Sequence, residues 1–278
     1  MSTTLTQDLH IRWLGVAGLE LISHGQVLLI DPYLTRVPFR KQWFGRISSN
    51  QPLISSIITK SNYILVTHPH WDHLMDVPYI ARITDSIVFG SENTRKILEI
   101  CGVPGDRIRI TENEKTFHIG NYAVKATLAE HGKAPGFLPG ELKPGLKYPL
   151  TARDYRMDEN YSFAIECDGI RIVTDPGMMP ANLPPAEILA VSPKYTQAYY
   201  KHIIETVKLR VIIPIHWDNM WRPLSRPLVP MYQPPSFSSP FKRYNLIEFS
   251  RTISRISPEA KVFLPEVLKY YDVKEVLE

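Results

Sequence analysis

The sequence has few cysteines, no long apolar run and no large excess of charge of either sign. Cys101 and Cys167 are its only cysteines and no Cys-x-x-Cys spacing occurs, which excludes a disulfide framework and a thiolate zinc site. No apolar stretch approaches the roughly eighteen residues that a transmembrane helix needs. The opening "MSTTLTQDLHIRW" also lacks the pattern of a signal peptide. We therefore expect a cytoplasmic protein without a transmembrane segment.

The composition is that of an ordinary globular protein, with 44% hydrophobic and 22% charged residues. The length suits a single α/β domain spanning residues 1–278. The net charge of +4 is too small to favour nucleic acid as a partner. Basic residues do cluster in "TRVPFRKQWFGR", where Arg36, Arg40, Lys41 and Arg46 occur without an acidic residue. This segment is either a solvated loop or a site for an anionic substrate.

Polar residues crowd the end of one apolar, β-favouring run, in "YILVTHPHWDH". Neutral imidazoles and carboxylates are the ligands that zinc and related divalent ions prefer. In an extended segment, positions two apart point the same way, so His68, His70 and Asp72 share one side and His73 faces another. This spacing suits two neighbouring ions better than one tetrahedral ion.

Two parts of the chain resemble each other. "LELISHGQVLLIDP" aligns with "FAIECDGIRIVTDP", and "HWD" occurs twice at a similar offset. The matched residues are Gly25 with Gly169, Asp31 with Asp175, and residues 70–72 with 216–218. If the similarity reflects duplication, two similar halves pack as a sandwich with helices outside and His-bearing strand ends on one edge. The alternative is a chance similarity between alternating apolar hairpins.

The motif "THPHWDH" resembles the signature of the metallo-β-lactamase superfamily, which implies an α/β fold, a four-layer αβ/βα sandwich of two similar halves. In that family a histidine, an aspartate and a final histidine follow three later strands. This sequence offers "LAEHG", "IVTDPG" and "IPIHWD" in the same order. By this resemblance, His68, His70 and His131 would hold one metal ion, Asp72, His73 and His216 a second, and Asp175 would bridge the two.

The resemblance also implies chemistry. Two divalent ions, with Zn²⁺ expected first and Mn²⁺ or iron as alternatives, would share a bridging hydroxide and promote hydrolysis. We predict that Asp72 has a catalytic role beyond ligation, because a carboxylate beside the attacking water can take and return its proton. Asp31 and Asp218 close strands near this edge. They either hold ligand histidines by hydrogen bonds or are plain turn residues.

The opening "IRWLGVAGLELISHGQVLLIDPYL" and the segment "VIIPIHWDNM" are most similar to the branch that contains ascorbate-6-phosphate lactonase and N-acylphosphatidylethanolamine phospholipase D. The implied function is hydrolysis of a small anionic lactone, ester or phosphodiester. A metal-dependent nuclease and a metal-bearing binding or redox module are the alternatives, since one fold hosts many chemistries. A homo-oligomer also stays open. Relatives in this branch often have a histidine where Val16 stands here.

Two long segments rich in proline directly follow ligand-bearing strand ends. We predict that residues 133–160 and 221–240 wall the pocket and select the substrate. The predicted contacts to its anionic part come from the basic segment and from the first wall, namely Arg36, Arg40, Lys41, Arg46, Lys147 and Arg153.

Overall fold

The computed structural model describes residues 8–132, 138–175, 183–232 and 242–278. Its strands form two sheets of seven strands each. The first sheet has the order β14-β1-β2-β3-β4-β5-β6 and the second has the order β13-β12-β11-β10-β9-β8-β7. The strands of the first sheet are β1 (Leu9–Gly15), β2 (Gly18–Ser23), β3 (Gln26–Ile30), β4 (Tyr63–Leu65), β5 (Ile87–Gly90), β6 (Ile108–Ile110) and β14 (Tyr270–Asp272). Those of the second sheet are β7 (Thr116–Ile119), β8 (Tyr122–Leu128), β9 (Tyr161–Cys167), β10 (Ile170–Thr174), β11 (Ile188–Val191), β12 (Val211–Pro214) and β13 (Lys261–Val262).

Helices lie between the strands and after them. They are α1 (Phe39–Phe44), α2 (Gln51–Ile57), α3 (Trp71–Leu74), α4 (Val77–Thr84), α5 (Glu92–Ile100), α6 (Gln197–Val207), α7 (Leu246–Ile256) and α8 (Val273–Leu277), with short 3₁₀ turns at Gly105–Arg107 and Ala152–Asp154. Within the described ranges, none of these helices has the length and apolar character needed to cross a bilayer.

The core lies in three layers, because successive side chains of a strand point to opposite faces. In β3, Leu28 packs into the core between the two sheets, and Leu29 packs outward against helices α2 to α5. In β11, Ile188 faces the same inner core, whereas Leu189 faces α6 and α7. Both sheets are therefore covered on both faces. This confirms the predicted four-layer αβ/βα sandwich.

The two sheets share one topology, which agrees with the predicted internal repeat. In each, an antiparallel hairpin leads into a run of four parallel strands, β3 to β6 in the first sheet and β10 to β13 in the second. The hairpin turns correspond, since Gly25 and Gly169 have φ values of 75° and 76°. Only glycine adopts such values without steric cost.

The proposed match between the two "HWD" triplets is wrong in topological terms. The first follows β4, which is the direct neighbour of the hairpin strand β3. The second follows β12, which is separated from the hairpin strand β10 by β11. The counterpart of β4 in the second sheet is therefore β11, whose following residues are Ser192, Pro193 and Lys194. The two triplets resemble each other without holding equivalent places.

One edge of the sandwich collects the polar residues. β8 and β12 both run in the same direction as β10, because β8 and β10 are each antiparallel to β9, and β12 is parallel through β11. Carboxyl ends of strands that run in one direction meet at one edge of a sheet. The loop after β4 is joined to this edge by the Tyr161 N–H, which donates to the Thr67 carbonyl at 2.9 Å.

Candidate metal centre

The structure brings six of the seven predicted ligands into two groups. His68, His70 and His131 form one, and Asp72, His73 and His216 form the other; within each group, one potential ligand atom per residue lies within 4.8 Å of the others. Ligands bound to one zinc ion at about 2.1 Å lie no more than about 4.2 Å apart. Only a small inward movement would therefore close either group around an ion.

The two groups are neighbours. The ring centroids of His68 and His73, one from each group, are 3.9 Å apart. Within the first group, the His68 to His131 and His70 to His131 centroids are both 4.8 Å apart. The second group is held by Asp72, whose Oδ2 lies 3.2 Å from His216 Nε2 and 3.7 Å from His73 Nε2. This arrangement can accommodate two adjacent ions.

The imidazoles of the first group are kept neutral. Burial lowers the pKa of His70 to about 3 and that of His131 to about 4, and it also lowers the pKa of His68 well below its ordinary value. The neighbouring imidazoles add to the effect in all three, because like charges disfavour one another. The neutral imidazole is the form that ligates metals.

The second group differs because it contains and contacts carboxylates. Burial alone would lower the pKa of His73, but Asp31 and Asp72 more than offset it, so the pKa is raised. Burial alone would also raise the pKa of Asp72, yet His73 and His216 shift it well below its ordinary value. Asp72 is therefore a carboxylate at neutral pH.

Asp31 lies behind the second group, where its Oδ2 is 2.7 Å from His73 Nδ1. Its Oδ1 accepts from the Thr67 N–H at 2.8 Å, which ties the start of the histidine loop to β3. A hydrogen bond from one ring nitrogen of a histidine to a carboxylate fixes the tautomer of the ring and directs the other nitrogen toward the metal ion. The backbone of Asp31 has a φ of 44° and that of His216 a φ of 56°. Such left-handed residues cost energy and cluster at functional sites.

Buried polar atoms at the centre fit a cation. His68 Nε2 and Asp72 Oδ1 are buried and have no hydrogen-bond partner among the described residues. Leaving such atoms unsatisfied costs about 1–3 kcal/mol each, and a divalent cation at each group would offset that cost. The donor set of imidazoles and carboxylate also matches the preferences of zinc, manganese and iron.

Asp175, predicted as the bridge, lies outside both groups. It directly follows β10, and its Oδ2 accepts a 2.8 Å hydrogen bond from the Tyr199 hydroxyl. Its backbone N–H donates to the Ala190 carbonyl at 2.9 Å. No pattern in the sequence pointed to Tyr199, because the tyrosine belongs to α6 and reaches Asp175 only through the packing of that helix on the second sheet.

The structure corrects the expectations for Asp218 and Arg36. Asp218 contacts Arg36 rather than a ligand histidine, with Nη1 and Oδ2 2.7 Å apart and both side chains fully buried. Asp218 Oδ1 also accepts from the Val16 N–H at 2.9 Å, and the Val16 carbonyl accepts from the His216 N–H at 2.7 Å. Asp218 thus supports His216 only indirectly. Arg36 is not accessible to a substrate.

Other members of the predicted anion site are engaged in holding the first wall. Arg46 donates to the carbonyls of Lys147, at 3.2 Å, and Pro149. The Arg153 guanidinium stacks over the Trp43 ring at 5.6 Å. Arg40, Lys41 and the side chain of Lys147 are exposed. The cluster is thus divided between structural contacts and open surface, and a role in binding substrate is not needed to explain it.

The two predicted walls meet on α1. The described part of the first wall, residues 138–160, contacts the loop after α1, where the Ile47 N–H donates to the Leu150 carbonyl at 2.7 Å. In the second wall, Trp221 Nε1 donates to Gln42 at 2.6 Å. Residues 133–137 and 233–240 of these predicted walls lie outside the described residues. That the walls select substrate stays a prediction.

Sequence reasoning missed Lys194, which follows β11 at the same edge. Its ammonium interacts electrostatically with Asp175 and Asp72. After burial, it is also the largest cause of the lowered pKa of His131. Its position in the internal repeat could have identified it. The loop after β4, with "THPHWDH", corresponds to the loop after β11, which carries Lys194.

The two groups should release their ions at different pH values. The first group has pKa values near 3 and 4 for His70 and His131, so protons do not compete with a metal there down to about pH 5.5. His73 has a raised pKa and must lose a proton before it can bind a metal, so the second group weakens as the pH falls. Equilibrium dialysis of metal-loaded protein from about pH 8 to about pH 5.5 should show the zinc content falling from two ions to one. Simultaneous loss of both ions would contradict this assignment.

Comparison with known proteins agrees with the fold. Residues 26–191, more than half of the chain, match the family model described as "Beta-lactamase superfamily domain". A metal-dependent hydrolase of the UPF0173 group from Cupriavidus taiwanensis is 32% identical over 52% of this chain and 46% of its own length. The chain thus spans about half the length of that relative. A relative of the same designation from Symbiobacterium thermophilum is 27% identical over 76% of this chain and 85% of its own.

Among solved structures, the metallo-beta-lactamase fold protein YhfI from Bacillus subtilis superposes with a TM-score of 0.59 at 8% sequence identity, covering 96% of this chain and 99% of the other. At that identity the likeness concerns the fold alone. The family model that matches more than half of the chain shows that this protein belongs to the metallo-β-lactamase superfamily, and the two groups of candidate metal ligands at one sandwich edge agree with that.

Proposed function

We propose that this protein is a metal-dependent hydrolase that acts on a small anionic lactone, ester or phosphodiester. The observation that carries the proposal is the pair of adjacent three-ligand groups, one with imidazoles kept neutral and one built on an ionised carboxylate. The relatives from Cupriavidus and Symbiobacterium are named metal-dependent hydrolases, which supports the same reaction class. The substrate types are those of the lactonase and phospholipase D branch that the sequence resembles.

The ligand groups would hold two divalent ions, which lower the pKa of water and polarise the carbonyl or phosphoryl group. Zinc is the first candidate for both. Asp31 keeps His73 in the tautomer whose Nε2 faces Asp72. Asp72 receives a proton from the attacking water and passes it on, and its Oδ1, which has no partner in the described part of the chain, is available for this. Asp175, whose Oδ2 accepts a hydrogen bond from the Tyr199 hydroxyl, would complete the ligand set as the bridge.

The proposal predicts both a metal stoichiometry and a metal-dependent activity. Protein freed of metal and reloaded with zinc, manganese or iron(II) should bind two ions per chain. It should then hydrolyse at least one of three probes: γ-thiobutyrolactone, 4-nitrophenyl butyrate or bis(4-nitrophenyl) phosphate. Replacing His68 with glutamine should remove the ion of the first group and lower the activity by about a hundredfold or more, since a missing ligand disrupts the centre.

The matched control is His24→Gln, the same change at an exposed histidine in the β2–β3 turn. Its metal content and activity should equal those of the wild type. A capacity of one ion or fewer, or metal-loaded protein that hydrolyses none of the three probes, would reject the proposed function.

A further inference from the structure

Lys194 lies just beyond the carboxyl end of a central strand of the second sheet. It follows β11, which lies between β10 and β12 and is parallel to both. The carboxyl end of β10 leads to Asp175, and that of β12 leads to His216. The lysine therefore leaves the sheet between the predicted bridge and a ligand of the second group. Among the described strands, β11 alone ends between those two residues.

The electrostatic interactions of Lys194 agree with this position. Its ammonium is attracted by Asp175 and by Asp72, which favour its charged form. It disfavours the charged forms of His131 and His73, one from each ligand group. The Lys194 side chain is exposed, so it is open to a ligand, although burial by the neighbouring protein atoms lowers its pKa. A single lysine thus acts on both groups.

Such a cation is poorly explained as a counter-ion for the aspartates. Two divalent ions would bring four positive charges to a site whose carboxylates are few, so a lysine beside them is repelled. The repulsion is relieved if an anion lies between the lysine and the ions. The placement of Lys194 therefore indicates a position for a negatively charged group of the substrate.

Lys194 also lines a polar cleft of about 390 Å³. The start of α6 lines one wall, with Tyr195 and Gln197, and α7 together with the residues just before it lines the other, with Lys242 and Arg255. The acidic residue in the lining is Glu248, which lies 3.4 Å from Lys242. Three cations against one carboxylate leave the cleft positively charged, which concentrates anions.

We infer that this cleft is the anion subsite of the enzyme, in which Lys194 holds a carboxylate or phosphate group of the substrate while Lys242 and Arg255 attract it. The inference rests on the proposed function and deepens it. It also replaces the basic segment at residues 36–46, since Arg36 is buried against Asp218 and Arg46 holds the first wall. A substrate anchored in the cleft extends past Lys194, so its scissile bond lies at the two ligand groups.

The kinetic test uses two esters with one leaving group, 4-nitrophenyl butyrate and mono-4-nitrophenyl succinate, which differ in a terminal carboxylate. In metal-loaded protein, Lys194→Met should lower kcat/KM for the succinate ester by about tenfold or more, the size of a lost charged hydrogen bond. The value for the butyrate ester should stay nearly unchanged, and Lys194→Arg should restore most of the preference. The control is Lys201→Met, an exposed lysine on α6. Equal losses for both esters, loss of bound metal, or no loss for either would overturn the inference.

A binding test separates this inference from the proposed function. Inorganic phosphate is titrated calorimetrically into metal-free protein, where only the protein's own cations can hold it. Wild-type protein should bind phosphate, Lys194→Met should weaken binding about tenfold, and Lys242→Met should weaken it less. If none of the three hydrolase probes and neither nitrophenyl ester is hydrolysed but this pattern holds, the hydrolase proposal fails and the anion site stands. Phosphate binding that is absent, or equal in wild type and Lys194→Met, overturns the anion site.

Discussion

Replacing Asp72 with asparagine is expected to lower kcat by about a hundredfold to ten-thousandfold, the usual contribution of a positioned proton-transfer group. Asp72 is ionised at neutral pH, because His73 and His216 shift its pKa well below the ordinary range. Asparagine is nearly isosteric and cannot accept a proton. The measurement is kcat at saturating metal on whichever probe the wild type hydrolyses.

The same variant must be shown to keep its fold and its metal ions. Asp72 also belongs to the second ligand group, so metal content is measured alongside kcat at each zinc concentration. The matched control is Asp85→Asn, the same change at an exposed residue in a left-handed conformation that asparagine tolerates. Turnover near the wild-type value in Asp72→Asn with two ions bound would exclude the catalytic role.

The second large effect concerns stability. Arg36→Met should lower the free energy of unfolding by about 3–5 kcal/mol, since removing one partner of a buried ion pair leaves the other charge buried and uncompensated. Both side chains of the Arg36–Asp218 pair are fully buried, and Arg36 also donates to the Asn219 carbonyl at 3.1 Å. Space for the guanidinium depends on Gly15, where a Cβ would overlap Nη2. Urea unfolding of metal-free protein measures the change.

Arg40→Met is the matched control, because Arg40 belongs to the same basic segment but is exposed. Its free energy of unfolding should stay within about 0.5 kcal/mol of the wild type. The double variant Arg36→Met, Asp218→Leu should recover part of the loss, since it removes both buried charges. If Arg36→Met were as stable as Arg40→Met, the pair would not anchor the turn that contains Val16.

Residue spacing alone was enough to indicate the densest part of the ligand set, because it lies within six consecutive positions, His68 to His73. The resemblance to the superfamily added His131 and His216. The direction of a strand fixes where the residue after it lies, which is why these two histidines reach the same edge. The repeat of hairpins likewise predicted two similar sheets. These inferences hold because they depend on local geometry and on strand periodicity.

The partners of charged residues could not be inferred in this way. Arg36 looked like one of four similar basic residues, yet packing against Gly15 and Asp218 buries it, whereas Arg40 is exposed. Asp218 looked like a partner for a histidine, but the turn at Val16 lies nearer to its carboxylate. The second half of the repeat was aligned on the wrong strand. The loop after β12 shares the residues "HWD" with the loop after β4, whereas the topologically equivalent loop after β11, which carries Lys194, shows no such similarity.

The sequence by itself therefore determined the layered α/β architecture and the dense group of candidate ligands at residues 68–73, through periodicity and close spacing. Its resemblance to the metallo-β-lactamase superfamily supplied the family and the remaining candidate ligands. The tertiary structure decided which charges are buried, which carboxylate supports which histidine, and that Lys194 both lines a cationic cleft and interacts electrostatically with Asp175 and Asp72. The physical reason is that burial and Coulomb interactions depend on distances between residues far apart in sequence. Lys194 and Asp72 are separated by more than a hundred residues, and only the packing of two sheets brings them together.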